Sequence, residues 1–312
     1  MKARKLIGIV RGRYYKSPSL VPVTTFNFQP STSQPHNLTT FNMILHCDLT
    51  SDVGLKRTDN EDMVLLNGEF YRDDDFCTTL ALNGKAKMAA VVADGMGGHA
   101  GGEFASELAA QSFQTLVETI PDSADAGMVT DMLKSWVGDA HYFIKQKGIE
   151  IPQYFNMGTT LAGLLFCNGY VFWVNVGDSR IYRFRDGVLR QLSTDHSIRE
   201  LEHDQTLPSN LIYNALGVGE NAFMDVADIT DRILPGDKYL ICSDGLCDMA
   251  DDDVIEGILD EGGTSSTLVD AAKKGGGKDN ISVLIVEIQE YGTATKPTTD
   301  PTAGEAKAVA GI

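Results

Sequence analysis

Thr159-Thr160-Leu161-Ala162-Gly163-Leu164-Leu165-Phe166-Cys167 runs into Asn168-Gly169 and then into Tyr170-Val171-Phe172-Trp173-Val174-Asn175-Val176. Two apolar runs of strand length joined by Asn-Gly read as a hairpin, because both turn residues need positive φ and this pair tolerates it. The chain then bends at Gly177-Asp178-Ser179, continues as Arg180–Arg185, turns at Asp186-Gly187 and runs on as Val188–Leu192. These runs read as one antiparallel meander. Upstream, Lys87–Ala93 is almost wholly apolar, hence a central strand. A helix over Glu103–Ile120 keeps Phe104, Leu108, Phe113, Leu116, Val117 and Ile120 on one face. A second, over about 125–147, carries a stripe from Val129 through Trp136 to Ile144. Ile44–Ser51 and Asp62–Leu66 read as earlier strands. Lys238–Ser243 and Asn280–Ile288 read as later ones, enclosing helices near 251–260 and 265–274. Residues 195–222 are irregular and polar. Strand blocks segregated from helix blocks predict an α+β domain of antiparallel sheets covered by helices.

The chain has 312 residues, 43% of them hydrophobic, enough for one large domain or two small ones. No run approaches the roughly 18 apolar residues of a membrane span, so the expectation is a soluble protein with no membrane partner. The net charge is −17; residues 1–42 hold six Lys/Arg and no acid, which leaves −23 on the remainder. A body that acidic is unsuited to gripping nucleic acid, whose binding rests on phosphate neutralisation. Cys47, Cys77, Cys167, Cys242 and Cys247 form no CxxC pair and are odd in number, which fits a reducing cytoplasm rather than a disulfide framework or zinc site. Residues 1–42 read as a flexible tail, as an over-extended start before Met43, or as an organelle transit segment. Residues 292–312 read as a disordered tail. The folded body is then about 43–291.

Three acidic sites stand at strand ends: Asp94 after Lys87–Ala93, Asp244 after Lys238–Ser243, and Asp279 just before Ile281. Buried carboxylates repel one another unless protons or a cation balance them, and oxygen-only ligands favour magnesium or manganese. Asp-Gly alone carries little weight, since Asp186-Gly187 is the same dipeptide in a plain hairpin. Asp94-Gly95 differs because five glycines crowd residues 95–102, more than a turn requires; they let backbone approach a ligand. Arg57 precedes Asp59, Glu61 and Asp62, setting a cation beside carboxylates. Asp248 lies four residues after Asp244. Asp251, Asp252 and Asp253 read as a helix cap and first-turn acids.

Taken in order, Arg57-x-x-Asn60-Glu61-Asp62, Ala93-Asp94-Gly95-Met96-Gly97-Gly98, Met157-Gly158-Thr159-Thr160, Val176-Gly177-Asp178-Ser179-Arg180, Asp195-His196-Ser197, Ala215-Leu216-Gly217, Ser243-Asp244-Gly245-Leu246 and Lys278-Asp279-Asn280 closely resemble the metal-dependent protein phosphatases, the PPM or protein phosphatase 2C type, in their bacterial form. The resemblance implies a four-layer αββα sandwich, two antiparallel sheets flanked by helices. It implies that Asp94 bridges two Mn2+ or Mg2+ ions and that Asp244 and Asp279 complete the first. Glu61 and the Gly95 carbonyl would hold the second, and Asp178 and Asp248 a weaker third. Asp62 would orient water and Arg57 would clamp phosphate.

The activity so implied is hydrolysis of phosphoserine and phosphothreonine in proteins by direct attack of a water or hydroxide shared by two ions. The chain would act as a monomer in the cytoplasm, opposing a Ser/Thr kinase in signalling. Alternatives are a non-catalytic phosphoprotein-binding relative or a hydrolase of small phosphate esters. Met96 stands where many eukaryotic relatives carry His and cannot donate a proton, so water, His99 or His196 are candidates for the general acid. The flap of bacterial members corresponds to about 196–224. Asn214 stands where an arginine often precedes Ala-Leu-Gly, which puts a flap-borne phosphate contact in doubt.

Overall fold

The computed structural model describes residues 9–10, 13–14, 41–97, 100–204, 206–208 and 211–293. The readings of 1–42 and 292–312 fall almost wholly outside these residues, as do Gly98 and His99. Strands β1 (Ile9–Val10) and β2 (Arg13–Tyr14) pair with each other. The body opens with β3 (Phe41–Asp52), β4 (Met63–Leu66), β5 (Glu69–Tyr71), β6 (Asp75–Asn83), β7 (Lys87–Ala93) and the short β8 (Gly95–Met96). Helices α1 (Ala100–Thr119) and α2 (Ala126–Glu150) follow. Then come β9 (Gly158–Thr159), β10 (Leu161–Cys167), β11 (Tyr170–Val176), β12 (Arg180–Arg185) and β13 (Val188–Gln191). Helix α3 (Ile198–Leu201) and β14 (Asp225–Asp228) lie in and after the flap segment. The chain closes with β15 (Lys238–Cys242), α4 (Asp244–Cys247), α5 (Asp252–Asp260), α6 (Ser265–Lys274) and β16 (Ile281–Thr293).

Two six-stranded sheets result, in the orders β14-β11-β10-β7-β4-β5 and β13-β12-β15-β16-β3-β6. Every pairing within them is antiparallel. The side-chain period of two explains how they stack. In β7, Ala89 and Val91 face the α1–α2 layer, whereas Met88, Ala90 and Val92 face the other sheet. In β16, Ile281, Val283 and Ile285 pack on α4–α6, and Leu284, Val286 and Ile288 point to the interior between the sheets. Both faces of these strands are buried, so they read as continuous apolar runs. Each fully buried Leu, Ile or Val contributes about 1.5–3 kcal/mol. The molecule is therefore the expected αββα sandwich.

The meander is corrected. β10 and β11 belong to the first sheet and β12 and β13 to the second. The Asn168-Gly169 and Asp186-Gly187 turns have the positive φ values of tight hairpins, 51° and 83°, 51° and 77°. Gly177, at φ 108°, instead carries the chain from one sheet to the other. A Cβ there would lie 2.6 Å from Thr160 Cγ2, so only glycine fits this corner.

Antiparallel pairing also decides which loops meet. Met63 pairs with Ala93, so the start of β4 lies beside the end of β7. Cys242 pairs with Val283, so the end of β15 lies beside the start of β16. Asp62 and Asp94 on one sheet thus come to the same end of the sandwich as Asp244 and Asp279 on the other.

Candidate metal centre

Asp94 leaves β7 on a firmly held backbone. Its N–H donates to Thr160 Oγ1 at 3.0 Å, and its carbonyl accepts from the Thr159 hydroxyl and the Thr160 N–H, both at 2.9 Å. Gly95 and Met96 then pair with Thr159 and Gly158. The 157–160 motif therefore braces the strand end that carries Asp94. Gly95 and Gly102 pack backbone to backbone, and a Cβ on Gly102 would come 2.5 Å from Glu61 Oε2 and 2.8 Å from the Gly95 carbonyl carbon. The glycine-rich segment thus sets Glu61 against the Gly95 peptide.

The Arg57–Asp62 loop is stapled by two asparagines. Glu61 N–H donates to Asn280 Oδ1 at 2.9 Å, and Asn280 Nδ2 donates to the carbonyls of Val53 and Asp59 at 3.1 and 3.0 Å. Asn60 Oδ1 accepts from Asp62 N–H at 3.0 Å. Ser243 donates its hydroxyl proton to Asp62 Oδ2 at 2.8 Å. Gly245 lies so close to the Asn280 carbonyl that no side chain fits, which seats Asp244 beside Asp279. Arg57 lies at the rim, half exposed, with Nη2 2.6 Å from Asp279 Oδ2.

Sequence reasoning missed Arg72. Its Nε donates to the Asp62 carbonyl at 2.8 Å, and its Nη atoms reach Glu103 and Ser106 in the first turns of α1. Ser106 in turn donates to the Glu61 carbonyl at 2.6 Å. No motif marks Arg72, because it acts through the backbone of the acidic loop.

The electrostatics are those of crowded acids. Burial raises Asp94 well above the ordinary carboxylate range, with Asp62, Asp244, Asp178 and Asp279 adding to it. Burial does the same to Asp244, helped by Asp178, Asp279, Asp248 and Asp62. Burial pushes Asp62 up to about 6 despite the Ser243 and Ser282 hydroxyls. Asp178 rises to about 7 through burial and the nearby Asp195. At an effective dielectric of about 20, one like-charge pair 5 Å apart costs about 3 kcal/mol.

Among the described residues, no three or more His, Cys, Asp and Glu side chains stand grouped so that they could hold a metal ion as they are. The convergence is one of electrostatic neighbours. It still fits a hard divalent ion. Asp62 Oδ1 and Asp244 Oδ1 are buried and lack a hydrogen-bond partner, a costly state that a cation or its water relieves. The acidic side chains gathered there supply only oxygen, as magnesium and manganese prefer.

His196, one of the candidates for the general acid, is buried among residues of the flap segment. Asn214 is buried too, donating to His196 Nδ1 at 2.7 Å and to the Phe223 carbonyl at 2.9 Å, so it organises the flap from within. Asp251 does occupy the cap position of α5, with Asp252 and Asp253 in its first turn.

The sequence pattern of the protein phosphatase 2C family matches residues 67–262. The chain is 31% identical over 264 residues to the serine/threonine phosphatase stp of Listeria monocytogenes, covering 78% of this chain and 96% of that protein. It superposes on PppA, described as a key regulatory component of T6SS in Pseudomonas aeruginosa, with TM-score 0.64 and 31% identity over 79% of this chain and 99% of that one. It also superposes on the catalytic domain of the phosphatase PstP in complex with two manganese ions, with TM-score 0.60 and 28% identity over 80% and 100%. By that match and coverage the chain belongs to the protein phosphatase 2C family and is a protein-serine/threonine phosphatase.

Proposed function

We propose that this chain hydrolyses phosphoserine and phosphothreonine in proteins at a centre of two Mn2+ or Mg2+ ions, opposing a Ser/Thr kinase in cytoplasmic signalling and acting as a monomer. The catalytic body is assigned to about residues 43–291. Asp94, Asp244, Asp279, Glu61 and the Gly95 carbonyl would hold the two ions, and Asp178 and Asp248 would hold a weaker third. When bound, the ions neutralise the phosphomonoester and render water nucleophilic near neutral pH.

The protein's own groups do the rest. Asp62 is held by Ser243 through Oδ2, which leaves Oδ1 to accept a hydrogen bond from water and orient it. Arg57, at the half-exposed rim, can exchange Asp279 for phosphate oxygens in a bidentate fork. The relative described as a complex with two manganese ions supports the metal assignment. No described helix is long and apolar enough to cross a membrane.

The observation that carries the proposal is the pair of orphaned carboxylate oxygens, on Asp62 and Asp244, inside the acidic cluster. The test is turnover of a phosphothreonine peptide and of p-nitrophenyl phosphate with manganese. Absence of turnover on both would overturn the proposal. Tight phosphopeptide binding without turnover would favour a binding relative, and faster turnover of metabolite phosphates a small-ester hydrolase.

A further inference from the structure

His196 joins three parts of the molecule that are separate in sequence. Its Nδ1 accepts from the Gly177 N–H at 3.0 Å and from Asn214 Nδ2 at 2.7 Å. Its own N–H donates to the Gly177 carbonyl at 2.9 Å, so the Gly177 corner is held from both sides. Its carbonyl accepts from the Tyr213 N–H at 2.9 Å. Its Nε2 lies 3.1 Å from Asp225 Oδ2 at the start of β14. The rings of Phe223 and Tyr213 cover it at 4.6 and 5.9 Å.

The tautomer follows from this geometry. A backbone N–H is an obligatory donor, so Nδ1 bears the lone pair and Nε2 bears the proton given to Asp225. The Gly177 corner in turn touches the metal centre. Gly177 packs on Thr160, whose Oγ1 accepts the Asp94 N–H and shares a 2.6 Å hydrogen bond with Ser179. Asp178 lies between Gly177 and Ser179.

We propose that His196 is a positioning residue for the phosphatase reaction: through the lone pair of Nδ1 it ties the seated flap, via Asn214, to the Gly177 corner and so to the strand end bearing Asp94. The proposal rests on the phosphatase reading of that site. The imidazole does not touch the substrate. It fixes the corner against which Thr160 braces Asp94, so its loss acts on turnover rather than on ground-state binding.

The side-chain chemistry gives a discriminating test. Asn places an acceptor near the position of Nδ1, whereas Gln reproduces the Nε2 donor and not the acceptor. With manganese and p-nitrophenyl phosphate, His196→Ala lowers kcat by about 10- to 100-fold with little change in KM. His196→Asn recovers most of that loss, and His196→Gln does not. Folding of each variant is checked by thermal unfolding. A folded Ala variant with wild-type kcat, or rescue by Gln as good as by Asn, overturns the proposal. The ring nitrogens of the wild-type protein, observed by 15N NMR with magnesium, give a readout independent of the variants. An unprotonated Nδ1 and protonated Nε2 are expected, and a protonated Nδ1 overturns the proposal. Wild-type turnover is the control: its absence refutes the phosphatase mechanism, whereas the pattern among variants tests His196.

Discussion

Ser243 holds Asp62 from across the sandwich, its hydroxyl 2.8 Å from Oδ2, while Asp62 Oδ1 is left buried and without a partner. Ser243 follows β15 of one sheet and Asp62 precedes β4 of the other, so this hydrogen bond links the two halves of the acidic cluster. Ser243 Oγ also accepts the Ser282 N–H at 2.9 Å, which fixes its orientation.

Replacing Ser243 by Ala should therefore cost more than one surface contact. The buried carboxylate loses an anchored hydrogen-bond donor to Oδ2, at about 1–3 kcal/mol. The fall in unfolding free energy, read by urea titration, should come with a lower kcat on p-nitrophenyl phosphate. A Ser243→Ala enzyme with full kcat would refute the orienting role given to Asp62.

Asp94→Asn should have opposite effects with and without metal. Asp94 is raised by burial and by four neighbouring acids, so neutralising it relieves repulsion in the metal-free protein. Its melting temperature in EDTA should rise above that of wild type. With manganese, the stabilisation seen for wild type should shrink and turnover should fall by about 100-fold or more. A lower melting temperature in EDTA together with unchanged turnover would count against the bridging position.

The acidic strand ends and the central place of β7 could be read in the sequence, because apolar runs bounded by Asp are local features. The hairpins at Asn168 and Asp186 were legible for the same reason. The change of sheet at Gly177 was not, since a glycine bend looks alike whether the next strand stays or crosses. Strand β6 was also missed: as a mostly exposed edge strand, Asp75–Asn83 lacks the apolar signal that burial imposes. Arg72 escaped because its partners are the Asp62 carbonyl and the first turns of α1, which adjoin it only after folding. The place of Asn214 and His196 inside the flap segment depends on long-range hydrogen bonds within a polar stretch that has no period.

Arg57 should affect substrate handling more than stability. Its side chain is 48% exposed and its ion-pair partner, Asp279, is 38% exposed, so Arg57→Ala should change unfolding free energy by no more than about 0.5 kcal/mol. KM for a phosphothreonine peptide should rise, and Arg57→Lys should restore only part of the loss, because an ammonium cannot offer the planar fork. Full rescue by Lys would remove the bidentate clamp from the mechanism.

Metal-free stability should fall as pH rises. Asp62 moves from 3.8 to about 6 and Asp178 from 3.8 to about 7 on folding, both chiefly through burial. Asp94 and Asp244 are raised further in the same direction. Between the unfolded and folded values the native state binds more protons than the unfolded chain, so its stability declines with pH across that window. The contribution is complete below about pH 4 and is lost progressively through about pH 6 to 7 and above. Bound manganese replaces the protons as counter-charge, so the gap between melting temperatures with manganese and with EDTA should widen from about pH 5 to about pH 7.5. Thermal unfolding at fixed ionic strength measures both curves. A gap that stays constant or narrows over that range would mean that these carboxylates do not titrate as a metal-free cluster.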